Sequence, residues 1–142
     1  DYTNILAAID FSPAASAALM LGHQIAPKAR ITPVHALHVP YPGMLGGGRT
    51  GRNELEAAFL ADAGAQARAW ADRTELPQAQ LEEIVIETGS PYSVLQQVRR
   101  ASDCDLVTVG AHGRVGGVPA LLGSLASDLM RHPFCDVLVA RP

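Results

Sequence analysis

The sequence predicts an α/β fold with a five-stranded, mainly parallel sheet and helices on both faces. Three observations carry this. Short apolar runs alternate with helix-periodic segments from one end of the chain to the other. Several of those runs are apolar at consecutive positions, as strands buried on both faces must be. Two of the intervening segments open with Ser-Pro, the pairing expected of a helix cap and first helical residue.

The first strand is Asn4-Ile5-Leu6-Ala7-Ala8-Ile9, which stops at Asp10-Phe11-Ser12-Pro13. A helix follows at once, with Ala15, Ala18, Gly22 and Ile25 at helical spacing and Pro27 beyond its end. Ile31 to Val39 is the second strand, although Pro33 inside it argues against a central position. Residues 40 to 52 are rich in glycine and read as a loop. Asn53 with Glu56 then resembles a capping box, and Leu55, Phe59, Ala63, Ala67 and Trp70 follow on one helical face.

Leu81 to Glu87 alternates into a third strand, and Gly89-Ser90-Pro91 repeats the cap-plus-proline start. Val94, Leu95 and Val98 mark the buried face of that next helix. Asp105 to Val109 is the fourth strand, ending at Gly110. A glycine-rich connection leads to a last helix, Ser124 to His132, with Leu125 and Leu129 on one face. Asp136 to Ala140 is the fifth strand.

Composition narrows the function. The 142 residues are 48% hydrophobic and 18% charged, which excludes a disordered or coiled-coil chain. A net charge of −3 gives no footprint for gripping nucleic acid, and no apolar stretch is long enough to span a bilayer. A cytoplasmic protein is therefore the expectation, with one domain over residues 1–142. Cys104 and Cys135 are too few for a disulfide framework. Each precedes Asp and an apolar run, so neighbouring parallel strands would set the sulfurs side by side; two small buried hydrophobes is the favoured reading.

Ligands in open parallel sheets bind beyond the carboxyl ends of the strands, where the winding reverses. With a five-strand order of 3-2-1-4-5, strands one and four meet at that reversal, and the unusual residues would gather there: Asp10 after one, Gly110-Ala111-His112-Gly113 after the other. Gly110 and Gly113 admit close backbone approach to a polar ligand. Gly123-Ser124 opens the last helix, whose free N–H groups favour an anion. A structural role, with glycines turning the chain and Ser124 capping the helix, is the alternative. No G-x-x-x-x-G-K-[ST] and no G-x-G-x-x-G after the first strand is present. His112 has no carboxylate or nucleophile at recognisable spacing and reads as polar surface. His35 and His38 fall on opposite faces of their strand and cannot share a metal.

The spacing Gly110-x-x-Gly113, nine residues, then Gly123-Ser124 resembles the ATP-binding signature of the universal stress protein family. The opening Ile5 to Ser12 and the ending Cys135 to Arg141 resemble that family's first and last strands. The resemblance implies a single Rossmann-like domain that binds ATP, with Mg2+, as a stress-response regulator. It implies that Asp10 contacts the ribose and adenine end, with Ala8 and Ile9 beside it and the backbone of Ala36 facing adenine. Val109 and Gly110 would floor the site. Gly113, Gly123 and Ser124 would contact phosphate, followed by Leu125 and Ala126, with Arg114 screening its charge. Pro119, and Ala126 without a hydroxyl, depart from the family's pattern. The resemblance also implies a homodimer through the apolar edge strand Val137-Leu138-Val139. A slow ATPase or phosphotransferase and a dimeric scaffold binding cyclic AMP or no nucleotide are the alternatives. The enzyme reading lacks an evident residue to activate a water or nucleophile.

Overall fold

A computed structural model describes residues 1–39, 49–112 and 122–142, with the backbone alone over 49–52. Its elements run β1 (Asn4–Ala8), α1 (Pro13–Ile25), β2 (Arg30–Leu37), α2 (Arg49–Arg73), β3 (Val85–Thr88), α3 (Pro91–Ala101), β4 (Leu106–Gly110), α4 (Ser124–Arg131) and β5 (Asp136–Ala140). The five strands form one sheet in the order β3-β2-β1-β4-β5, every pair parallel. This is the expected order.

Alternating side chains of the central strands build a core on each face. Ile5, Ala7, Ile9 and Ile31 pack with Ala15 and Leu19 of α1 and Trp70 of α2. Leu6, Ala8, Val34, Val107 and Val109 pack on the other face with Val94 and Leu95 of α3 and Ala126 and Leu129 of α4. Each large aliphatic side chain fully buried this way contributes roughly 1.5–3 kcal/mol. The Ser-Pro starts form as expected. Ser12 is the N-cap of α1 and its hydroxyl accepts from the Ala15 N–H at 3.2 Å. Ser90 caps α3 by position, but its hydroxyl donates to the Ser93 hydroxyl instead of accepting from the helix backbone.

Close contact between α1 and the sheet rests on glycine. A Cβ on Gly22 would come within 2.7 Å of the Thr108 methyl, and one on Gly110 within 2.7–2.8 Å of Ala14 and the backbone of Ala15. Gly110 is therefore required first by helix packing. Its φ is not positive; among the described residues Phe11 (φ 64°) and Gly89 (φ 150°) are the positive ones.

Several expected boundaries move. The third strand is not continuous from Leu81. Leu81 makes an isolated bridge to Ile31, and regular pairing resumes only at Val85, opposite Val34. The reason lies in β2. Ile31 exchanges both of its backbone bonds with Gln80 and Glu82, so residues of the same parity face β3. Pro33 is next in that row and has no N–H to give, and the ladder opens there. Pro33 is thus tolerated in an inner strand because its neighbour departs.

Asn53 does not cap a helix, since α2 begins four residues earlier, at Arg49; the expected loop of residues 40–52 is helical over its last four. The Glu56 carboxylate instead accepts from the Thr88 hydroxyl at 3.5 Å. No proline lies between Arg49 and Asn53, and one glycine, Gly51, costs only about 1 kcal/mol in a helix of this length. Ile25, the last of the residues at helical spacing, is 55% exposed at the carboxyl end of α1. The second strand ends at Leu37 instead of Val39, and α4 ends at Arg131 with His132 as C-cap. On α4 the fully buried pair is Ala126 and Leu129, with Leu125 only half-buried. On α2, Ala63, Ala67 and Trp70 are buried while Leu55 and Phe59 are half-exposed at the start of the stripe.

Candidate functional site

A cavity of about 240 Å3 opens at the carboxyl ends of β1, β2 and β4, against the amino ends of α3 and α4. Its position follows from the topology: β1 and β4 are adjacent, yet their following helices leave to opposite faces, so the sheet edge between them is uncovered. Small side chains keep the space open. Ala8, Ala36, Gly110 and Ala126 line it, with Val109, Leu95 and Leu125 as apolar walls and Asp10, Gly123 and Ser124 as polar borders.

Ten of the twelve residues assigned from the sequence therefore share one cavity: Ala8, Ile9, Asp10, Ala36, Val109, Gly110, Gly123, Ser124, Leu125 and Ala126. Gly113 and Arg114 lie outside the described residues, as does Pro119.

Asp10 has two duties. One carboxylate oxygen accepts from the Ser12 N–H at 2.9 Å and so holds the β1–α1 turn, the local role its position suggests. Among the described residues its other oxygen takes no hydrogen bond. The turn is tight enough to force Phe11 into the left-handed region, which costs a non-glycine residue about 1–2 kcal/mol. The Phe11 ring rests against His35 with centroids 4.6 Å apart.

His35 is a cavity residue that sequence reasoning considered only as a metal ligand. Its Nδ1 lies 2.7 Å from the Ile9 carbonyl oxygen. A carbonyl can only accept, so Nδ1 carries a proton and donates to it. His35 thereby ties the ends of β1 and β2 together. His112, expected to be polar surface, is half-buried and also lines the cavity. Pro91 and Leu95 complete the wall; their signal was the second Ser-Pro start, Gly89-Ser90-Pro91, which reads locally as a helix start and not as part of a site.

The far border is the amino end of a helix. Helix α4 begins at Gly123, which offers no side-chain cap, and its first turn carries no acidic residue. The Gly123 N–H is taken by the Ala111 carbonyl and the Ser127 N–H by the Gly123 carbonyl. The first-turn N–H groups of residues 124–126 thus have no acceptor among the described residues, and the helix dipole adds positive potential there. No group of three or more His, Cys, Asp or Glu side chains that could hold a metal occurs among the described residues. No described helix is long and apolar enough to cross a membrane.

The fold that carries this cavity recurs in known proteins. The sequence profile of the Universal stress protein family matches residues 1–141. The chain belongs to the Universal stress protein family. A universal stress protein of Synechocystis is 27% identical over 105 residues, covering 71% of this chain and 68% of that one. The universal stress protein UspA from Lactobacillus plantarum is 26% identical, covers 99% of this chain and 98% of its own, and superposes with a TM-score of 0.78. A family protein of Arabidopsis thaliana, solved with AMP bound, shares the fold at 16% identity, with 98% and 91% coverage and a TM-score of 0.61. A universal stress protein in complex with cAMP likewise shares the fold, at 24% identity, 98% and 96% coverage and a TM-score of 0.54.

Proposed function

We propose that this universal stress protein binds ATP in the cavity between β1 and β4 and acts as a nucleotide-dependent regulator. The observation that carries the reading is the uncapped amino end of α4 on the same cavity as Asp10. A base fits the slot walled by Ala8, Ala36, Val109 and Leu95, which is apolar and kept open by small residues. The unpaired oxygen of Asp10 is an acceptor for ribose hydroxyls. At about 240 Å3 the cavity takes the nucleoside end, leaving the phosphates to the first turn of α4. Ser124, exposed at the first helical position, adds a hydroxyl for a phosphate oxygen or for the Mg2+ that ATP carries.

The structures of relatives with AMP and with cAMP support a nucleotide; the bare α4 terminus supports one with an extended phosphate chain. The same reading includes a homodimer through β5. Among the described residues that strand pairs only with β4, and Val137, Leu138 and Val139 are half-exposed along it.

The test is calorimetry of Mg-ATP, AMP and cAMP with the wild type and with Gly123→Asp. Aspartate is a better N-cap than glycine, so the variant should match or exceed wild-type thermal stability. Its carboxylate would occupy the first-turn N–H groups and repel phosphate. ATP affinity should fall at least tenfold, and AMP affinity less. Equal ATP affinity in both proteins would remove α4 from the site.

A further inference from the structure

At the opposite end of the sheet the chain carries a second reactive arrangement that the nucleotide site does not use. Cys104 precedes β4 and Cys135 precedes β5, and their Sγ atoms lie 3.5 Å apart as free thiols. Their environments differ. Cys104 is buried at 9% exposure and its thiol donates to the Leu106 carbonyl at 3.3 Å. Cys135 is half-buried, reached from solvent, and has the Arg99 guanidinium of α3 as a favourable charge. Both sit before the point where the ladder between β4 and β5 begins, at Leu106 and Asp136. Closing the sulfurs to the bonding distance of about 2.0 Å therefore needs movement of roughly 1.5 Å in turn segments, not in paired strands.

We propose that Cys104 and Cys135 form a reversible intramolecular disulfide with a small-molecule disulfide as oxidant. Cys135 is the thiol that meets the oxidant and Cys104 the one that resolves it. In the first step the Cys135 sulfur, as thiolate, attacks one sulfur of the oxidant; that S–S bond breaks and one small thiol leaves with a proton. In the second, Cys104 loses its proton and attacks the Cys135 sulfur, expelling the second small thiol. Two protein thiols are oxidised and one small disulfide is reduced to two thiols.

Burial pushes both thiols up, Cys135 to about 12, so little thiolate is present at neutral pH. Oxidation is accordingly slow. Because the reduced pair is not stabilised as thiolate, the disulfide is the persistent form once made. The covalent loop so closed contains Val109, Gly110, His112 and the amino end of α4, that is, one side of the cavity described above.

The full chain, dilute and under exclusion of oxygen, is treated with oxidised glutathione, alkylated and mapped by peptide mass spectrometry. A Cys104–Cys135 linked peptide that dithiothreitol removes is the expected product, with a raised melting temperature for the oxidised protein. Cys104→Ser should stop at a glutathione adduct on Cys135. Cys135→Ser should leave Cys104 at least tenfold less modified than Cys135 is in the wild type. A stable glutathione adduct on the wild type, a chain-to-chain disulfide, or a native protein that stays fully thiol while its urea-unfolded form cross-links would each overturn the proposal.

Discussion

Replacing Gly110 by alanine adds one methyl group at the place where α1 comes closest to β4. The added Cβ would lie 2.7 Å from the Ala15 nitrogen and 2.8 Å from the Ala14 carbonyl carbon and Cβ, whereas ordinary contact begins at 3.4 Å. The obstacle is helix backbone, so no side-chain rotation relieves it, and α1 must retreat by about 0.7 Å. Overpacking of this kind costs roughly 1–3 kcal/mol, which for a domain of this size lowers the melting temperature by about 4–12 °C. The retreating turn carries the Ser12 cap and Ala15 of the cavity wall, so ATP affinity should fall with stability.

Gly64→Ala is the matched control. Gly64 lies inside α2, and its added Cβ would meet only the tip of the flexible Arg68 side chain, at 3.6 Å. The same chemical change there removes a helix penalty and should stabilise by about 0.5–1 kcal/mol. Thermal melts followed by circular dichroism would show opposite signs for the two variants. A Gly110→Ala protein that melts with the wild type would refute the packing argument.

Two further expectations rest on the far end and the edge of the sheet. Asp105 accepts from the Thr3 and Asn4 N–H groups at 2.7 and 3.0 Å and from the Thr3 hydroxyl at 2.9 Å, pinning the chain before β1 to β4. Burial pushes its carboxyl up, but these bonds together outweigh that and hold it below the usual carboxylate range. Its stabilisation is then complete above the unfolded value near 3.9 and lost as pH falls through the lower folded value. Asp105→Asn should cost about 1 kcal/mol at neutral pH, given its partial exposure, and the gap to wild type should narrow below about pH 4; a gap that is constant down to the acid transition would contradict this. For the β5 edge, sedimentation equilibrium should return twice the 14.9 kDa chain mass, and a monomer at all concentrations would dismiss the dimer.

How much of this was legible in the sequence depends on the range of the interaction. The strand–helix alternation and the Ser12-Pro13 start are written in residues a few positions apart, where backbone preference and burial period decide the outcome. The gathering of Asp10, Gly110 and Gly123 follows once strands one and four are neighbours, because the crevice of a parallel sheet lies where its winding reverses; alternation alone does not choose the order β3-β2-β1-β4-β5. Where the sequence misled, the deciding partner was remote. Pro33 ended pairing in a segment some fifty residues on, and Asn53, a good cap by itself, lost to a helix already under way.

Gly110 reads from its neighbours as a glycine for a ligand, but its Cβ is forbidden by α1, nearly a hundred residues earlier. His35 and His112 enter the cavity only because β2 and β4 end at the same level of the sheet. The two cysteines show the same division. Their shared Cys-Asp-apolar pattern marked them as strand neighbours, but a separation of 3.5 Å between sulfurs is a property of the packed sheet. Local chemistry therefore set the elements of this protein and their order along the chain, while contacts between elements set which side chains meet, since those contacts form only when the two faces of the sheet are buried together.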